Sequence, residues 1–245
     1  MKTSSPRFPQ LAGNAPEDIR RWLHTFRASP KEDSSAPSGI PLNHPQLTQC
    51  LSHGRLPTGI LGEVVTPHPS GGGQLFLESL LLGAVRIHRY MALIDACDTF
   101  DPASVPEACF PFLLWIRCRH TKETLRAADI LIRDENFPLT IIDLRQVSTI
   151  DQQRIPNNQW YRIQRTVRQQ GSTCMVFTRR ASIAAAQLRL ELSAQLTLED
   201  HFRPRNQIWE QLPIHITRQR QGLDDNQHEA TASTWFKKAH QQKSL

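Results

Sequence analysis

Between Gly62 and Gln74 the chain passes from an apolar run through Thr66-Pro67-His68-Pro69-Ser70 into three consecutive glycines, Gly71-Gly72-Gly73, and on into a leucine-rich stretch. A buried strand that turns tightly into an amphipathic helix opens a βαβ unit, and the chain goes on to repeat that alternation. Strands are predicted over Leu61–Val65, Tyr90–Asp95, Leu113–Ile116, Leu139–Asp143 and Thr173–Phe177. Helices are predicted over Gln74–Arg86, Thr121–Asp134 and Asn158–Gln170, where apolar residues recur at helical spacing. After Phe177 the pattern changes to period two over Gln187–Leu192 and Ile214–Arg218, with a turn-like Pro204-Arg205-Asn206 between them. The predicted fold class is therefore α/β: a mostly parallel sheet flanked by helices, with antiparallel edge strands toward the C-terminus.

The 245 residues fit one such core with two appended segments. Residues 1–40 read as a flexible arm, rich in Pro, Ser and charge, with a short amphipathic helix from Pro16 to Phe26. Residues 41–222 form the core domain, and 223–245 a polar tail whose compact feature is Trp235-Phe236-Lys237-Lys238. No apolar run approaches the roughly 18 to 20 residues of a membrane span, and Met1 to Pro6 has no apolar leader, so no membrane contact and a cytoplasmic location are expected. Cys50, Cys97, Cys109, Cys118 and Cys174 form no C-x-x-C pair, and the ten histidines form no metal-binding spacing. Neither a metal nor a cofactor is expected. A net charge of +6, carried mostly by arginine, suits an acidic or phosphate-bearing partner as well as a merely solvated surface.

The loop at Thr66–Gly73 has the shape of a phosphate-binding loop without its chemistry. In the working motif, G-x-x-x-x-G-K-S/T, backbone N–H groups cradle the phosphates, the lysine reaches the β and γ oxygens, and the hydroxyl holds Mg²⁺. With Gly71 as the second glycine, Thr66 stands at the first glycine position, Gly72 at the lysine position and Gly73 at the hydroxyl position, with Ser70 just ahead. In an open α/β sheet ligands bind where strands exit at their carboxyl ends, and other exits here carry acids: Asp95 and Asp143 each close an apolar run.

Leu56-Pro57-x-Gly59, Glu63-Val64-Val65, the loop at Ser70-Gly71, Ile94-Asp95-Ala96 followed by Asp101-Pro102, the strand ending at Asp143, and Val176-Phe177 stand in the order and spacing of RecA. The chain resembles the RecA-fold family over about residues 42–222. That resemblance implies a glutamate after Ile94-Asp95-Ala96 to activate the attacking water, but Cys97 stands there. A thiol cannot serve as that base near neutral pH without a large pKa shift. The resemblance also makes Asp143 the Mg²⁺-associated aspartate, the one catalytic position retained. Without phosphates a lone carboxylate holds Mg²⁺ poorly, so the expected role of Asp143 is to cap its strand by bonding the loop's N–H groups.

Two DNA-binding loops are implied by the resemblance, after Asp143 and after Phe177, and both are short: Arg145 to Asn157 and Arg179 to Ala185. Arg145, Arg154, Arg179 and Arg180, with Arg162, Arg165 and Arg168 along the adjacent helix, are the candidate contacts to DNA phosphates or to a partner. Combined loss of lysine, hydroxyl and base is similar to ImuA-like and SulA-like RecA relatives of bacterial damage-response cassettes. The likeness implies a non-catalytic accessory protein of SOS mutagenesis and translesion synthesis, with weak DNA binding at most. Its implied partners are a Y-family polymerase-like protein, an error-prone replicative-type polymerase, or RecA. The alternative is an atypical RecA-like, ATP-dependent DNA-binding protein of recombination or repair. Gln195-Leu196-Thr197-Leu198-Glu199 also resembles a short clamp-binding peptide, with Glu199 in place of its terminal aromatic, and a turn between edge strands explains it equally well.

Overall fold

A computed structural model describes residues 38–220. The expected helix at Pro16–Phe26 and the Trp235–Lys238 cluster lie outside the described residues. In chain order the elements are β1 (Ile40–Pro41), α1 (Pro45–Cys50), β2 (Arg55–Leu56), β3 (Ile60–Val65), α2 (Gly73–Arg86), β4 (Met91–Asp95), β5 (Leu113–Arg117) and α3 (Thr121–Ile132). They continue through β6 (Leu139–Asp143), α4 (Thr149–Gln153), α5 (Asn157–Gln170), β7 (Thr173–Thr178), β8 (Leu188–Leu192), α6 (Arg205–Gln211) and β9 (Ile214–Gln219).

Seven strands form one sheet in the order β5-β4-β6-β7-β3-β8-β9. All of them but β9 run parallel, and the helices α2, α3 and α5 provide three of the crossovers between them. β8 and β9 pair antiparallel, as their period-two pattern predicts, with a register shift at Arg189/Leu190. β8 itself runs parallel to β3, so β9 is the strand that reverses direction at this edge.

Strand alternation gives the sheet two apolar faces, each with its own core. Ile60 and Val64, Leu139 and Ile141, and Met175 and Phe177 point to one face, where α2 supplies Phe76, Leu77, Leu80 and Leu81. Leu61, Ile94, Ile142 and Val176 point to the other, covered by α3 and α5 through Ala128, Leu131, Trp160, Ile163 and Val167. Burying a leucine or phenylalanine of this kind contributes about 1.5–3 kcal/mol, so both helical layers are fixed by their apolar stripes. Phe76 meets Phe177 edge-on, with ring centroids 6.0 Å apart, which ties α2 to the sheet directly behind its loop.

Two features depart from the sequence reading. The β1–β2 ribbon packs over α2, where a Cβ added at Gly83 would strike the Pro41 carbonyl. Two-residue strands carry no periodicity, so nothing local announces them. The Pro204-Arg205-Asn206 turn is instead the start of α6: Pro204 caps it, and Ile208 and Leu212 are buried. Proline is at home at a helix start, and the stripe of only one turn escaped a reading that looked for longer repeats.

Candidate functional site: a sealed strand-exit loop

The loop forms as the sequence requires. Thr66 leaves β3 fully buried, its N–H donating to the Thr178 carbonyl of β7 at 2.8 Å and its hydroxyl to the same oxygen at 3.3 Å. Ser70 is exposed and its carbonyl accepts from Leu196 N–H at 3.1 Å, while Gly71 N–H closes the turn on the His68 carbonyl at 3.0 Å. Gly72 adopts φ 82°, ψ 6°, a left-handed conformation open chiefly to glycine, and α2 starts at the next residue. Lysine there would be strained before it reached any ligand.

The space above the loop is filled from within the protein. A Cβ added at Gly72 would run into the Leu212 side chain, which the connection from α6 to β9 lays over the loop. A Cβ at Gly73 would lie 2.6 Å from Arg145 Nη1 and 3.0 Å from the Thr66 methyl. All three glycines are buried.

Asp143 is 4% exposed and bound to Arg145 rather than to the loop. Its carboxylate accepts from Arg145 N–H at 3.0 Å, from Nε at 3.0 and 3.1 Å, and from Nη2 at 2.5 Å. The guanidinium lies over the Phe177 ring, 5.2 Å from its centroid, and the Arg145 carbonyl accepts from Arg179 Nε at 3.1 Å. A forked donor thus neutralises the acid where the resemblance implies a metal. The expected cap to the loop's N–H groups is replaced by this pair, and the reason is visible in Asp143-Leu144-Arg145: residues two apart at a strand end share a side.

Asp95 sits beside Asp143 in register and is fully buried, capping its turn through Cys97 N–H at 3.3 Å and Phe100 N–H at 2.8 Å. Cys97 is exposed, and its thiol is held above its ordinary range, first by partial burial and then by the Asp95 and Asp143 charges. That direction disfavours the thiolate, the form in which a cysteine acts as base or nucleophile.

The loops that the resemblance assigns to DNA are fastened down. After β6, Gln152 of α4 donates to the Leu144 and Val147 carbonyls at 2.9 and 2.8 Å. After β7, Ser182 N–H and Ile183 N–H donate to Glu63 at 2.8 and 3.3 Å, and Thr178 Oγ1 donates to the same oxygen at 3.1 Å. Glu63 is fully buried in β3 and paired with Arg189 of β8 at 2.7 Å. Arg218 Nη1 holds the same loop from β9 through the Ala184 carbonyl at 3.0 Å.

The candidate arginines divide accordingly. Arg145 is consumed by Asp143, and Arg179 by the Arg145 carbonyl. Arg154 is exposed and pairs with Asp151 at 3.2 Å. Arg180 is exposed at the β7 exit, and Arg162, Arg165 and Arg168 lie exposed on α5, away from the loop. The sequence reading missed Leu212, whose place over Gly72 depends on a contact 140 residues distant in the chain. It also missed Arg189, Arg218 and Tyr161, whose alternation along β8, β9 and α5 was the available signal. Leu198, in the clamp-like segment, is 76% exposed.

No family model matches the chain, and no curated protein matches it. Among solved structures it is similar to the crystal structure of the RadB recombinase, at 16% identity and a TM-score of 0.49, over 62% of this chain and 82% of that one.

Proposed function

We propose that this chain is a degenerate RecA-like protein, of the ImuA-like or SulA-like kind, that performs no nucleotide chemistry. It acts as an accessory protein in the DNA damage response, in SOS mutagenesis and translesion synthesis, through contacts with polymerase-related proteins or RecA. The observation that carries this reading is the sealed loop: Leu212 covers the lysine position, and Arg145 occupies the hydroxyl position while neutralising Asp143. Two side chains from separate elements close the loop, and the order of the surrounding motifs is kept.

With Leu212 and Arg145 packed against Gly72 and Gly73, the reading turns to surfaces as the carriers of function. The test is co-purification of the full chain with a Y-family polymerase-like protein, an error-prone replicative-type polymerase and RecA from one damage-response cassette. Stable association with at least one is expected, and association with none would overturn the reading. The ATP-dependent alternative has less support in the geometry, because Leu212 packs at Gly72 and Arg145 at Gly73 and Asp143.

A further inference from the structure

α5 is the most lopsided element of the molecule in charge. Its sequence, NNQWYRIQRTVRQQ, contains three arginines and no acid. Trp160, Ile163 and Val167 face the sheet, so Tyr161, Arg165 and Arg168 form one outward stripe at i, i+4 and i+7, with Arg162 on its flank. Tyr161 is 48% exposed, and Arg162 meets Asp129 of α3 only at 3.8 Å. Arg165 and Arg168 have no carboxylate partner among the described residues. The adjoining edge is basic as well: Arg218 of β9 lies within electrostatic reach of Tyr161, Arg189 and Arg220, and the two neighbouring guanidiniums add to burial in lowering its affinity for a proton. The acid facing this cluster is Glu63, which is buried and already shared among Arg189 and the β7–β8 loop.

We propose that the outer face of α5 binds a single strand of nucleic acid, with Arg162, Arg165 and Arg168 on its phosphates and Tyr161 stacked on a base, while Arg218 and Arg220, which donate to the β7–β8 loop carbonyls, add only their positive field at its edge. The composition selects this partner over a protein. A protein interface needs an apolar centre that loses its water, whereas this face offers one aromatic ring among arginines and amides, including Asn157, Asn158 and Gln169. A basic groove tracking the backbone with an aromatic platform is how single strands are held without sequence preference. The site differs from the strand-exit loops, where Arg145 and Arg179 are engaged internally, and it rests on the charge of α5 rather than on the proposed protein contacts.

The test is fluorescence anisotropy of a labelled oligothymidylate of about 20 nucleotides, titrated with the full chain at about 20 mM and about 200 mM salt. Saturable binding that weakens at the higher salt is expected. Arg165→Glu combined with Arg168→Glu should raise the Kd by about tenfold or more. Tyr161→Ala should raise it by about five- to tenfold and Tyr161→Phe by less than about twofold, since the ring does the stacking. Arg180→Glu at the strand exit should change it by less than about twofold. These side chains are exposed, so unchanged thermal melting verifies that each variant is folded. No binding at low salt, an unaltered Kd in the Arg165/Arg168 double variant, or competition by polyglutamate as strong as by unlabelled oligonucleotide would each overturn the proposal.

Discussion

The carboxyl end of the sheet and the outer face of α5 are both rich in arginine, yet they treat it in opposite ways. Arg145 and Arg179 at the strand exits, with Arg189 of β8 and Arg218 of β9 beside them on the sheet, donate into the protein, to Asp143, Glu63 and loop carbonyls. On α5, Arg165 and Arg168 are exposed, with no acid paired to them among the described residues. In the first region the guanidiniums serve as internal counter-charges and loop clamps. The second keeps uncompensated charge, which costs stability through mutual repulsion and leaves the guanidiniums open to an outside acceptor. Arginine content alone therefore does not locate function here; what distinguishes the regions is whether each guanidinium already has its acceptor.

The sharpest way to break the comparison is to withdraw an internal acceptor's partner. Arg189→Ala leaves Glu63 as a carboxylate buried in the central sheet, and a loss of about 3–5 kcal/mol is expected in urea unfolding. Arg145→Ala should cost somewhat less, about 2–3 kcal/mol, because Asp143 keeps the Arg145 backbone N–H. Equal and small losses at both positions would mean that the strand-exit arginines are as free as those of α5.

Restoring the motif is the next perturbation. Gly72→Lys places a side chain at φ 82° against Leu212, and a destabilisation of about 2 kcal/mol with no gain in ATP binding is expected. Binding that appears with the lysine alone would show the loop to be open.

His44 gives a pH test of the packing around Leu212. It is 1% exposed, its ring meets Trp209 at 4.7 Å, and burial holds its pKa below 6.5, partly offset by the Leu212 and Trp209 backbone. The unfolded chain takes up the proton first. Stability is therefore complete above about pH 6.5 and falls as pH drops through the folded value, by at most about 1.4 kcal/mol per pH unit. Unfolding curves at several pH values should show this slope, and His44→Leu should flatten it.

The smallest effect concerns Cys97. Its raised pKa should make alkylation at pH 7 slower than that of a free model thiol, measured by mass of the labelled peptide.

The central strands and their crossover helices were legible because each buries a face, and burial writes itself into the sequence as period two or 3.6. Asp143, Cys97 and the three glycines were legible as positions, since spacing along one chain locates them. What they touch was not. The seal depends on Leu212, and no local pattern says that a residue between α6 and β9 will lie over a loop following β3. The same holds for Glu63, whose partners Ser182, Ile183 and Arg189 lie more than 100 residues further along the chain. Arg145 is intermediate: its spacing from Asp143 was visible, but only the geometry makes it an internal counter-charge instead of a surface contact.

The central claim is that the strand-exit loop is closed to nucleotides by the protein's own side chains. Isothermal titration of ATP with Mg²⁺ into the full chain tests it most directly. No saturable heat is expected up to millimolar nucleotide; stoichiometric binding in the micromolar range would contradict it.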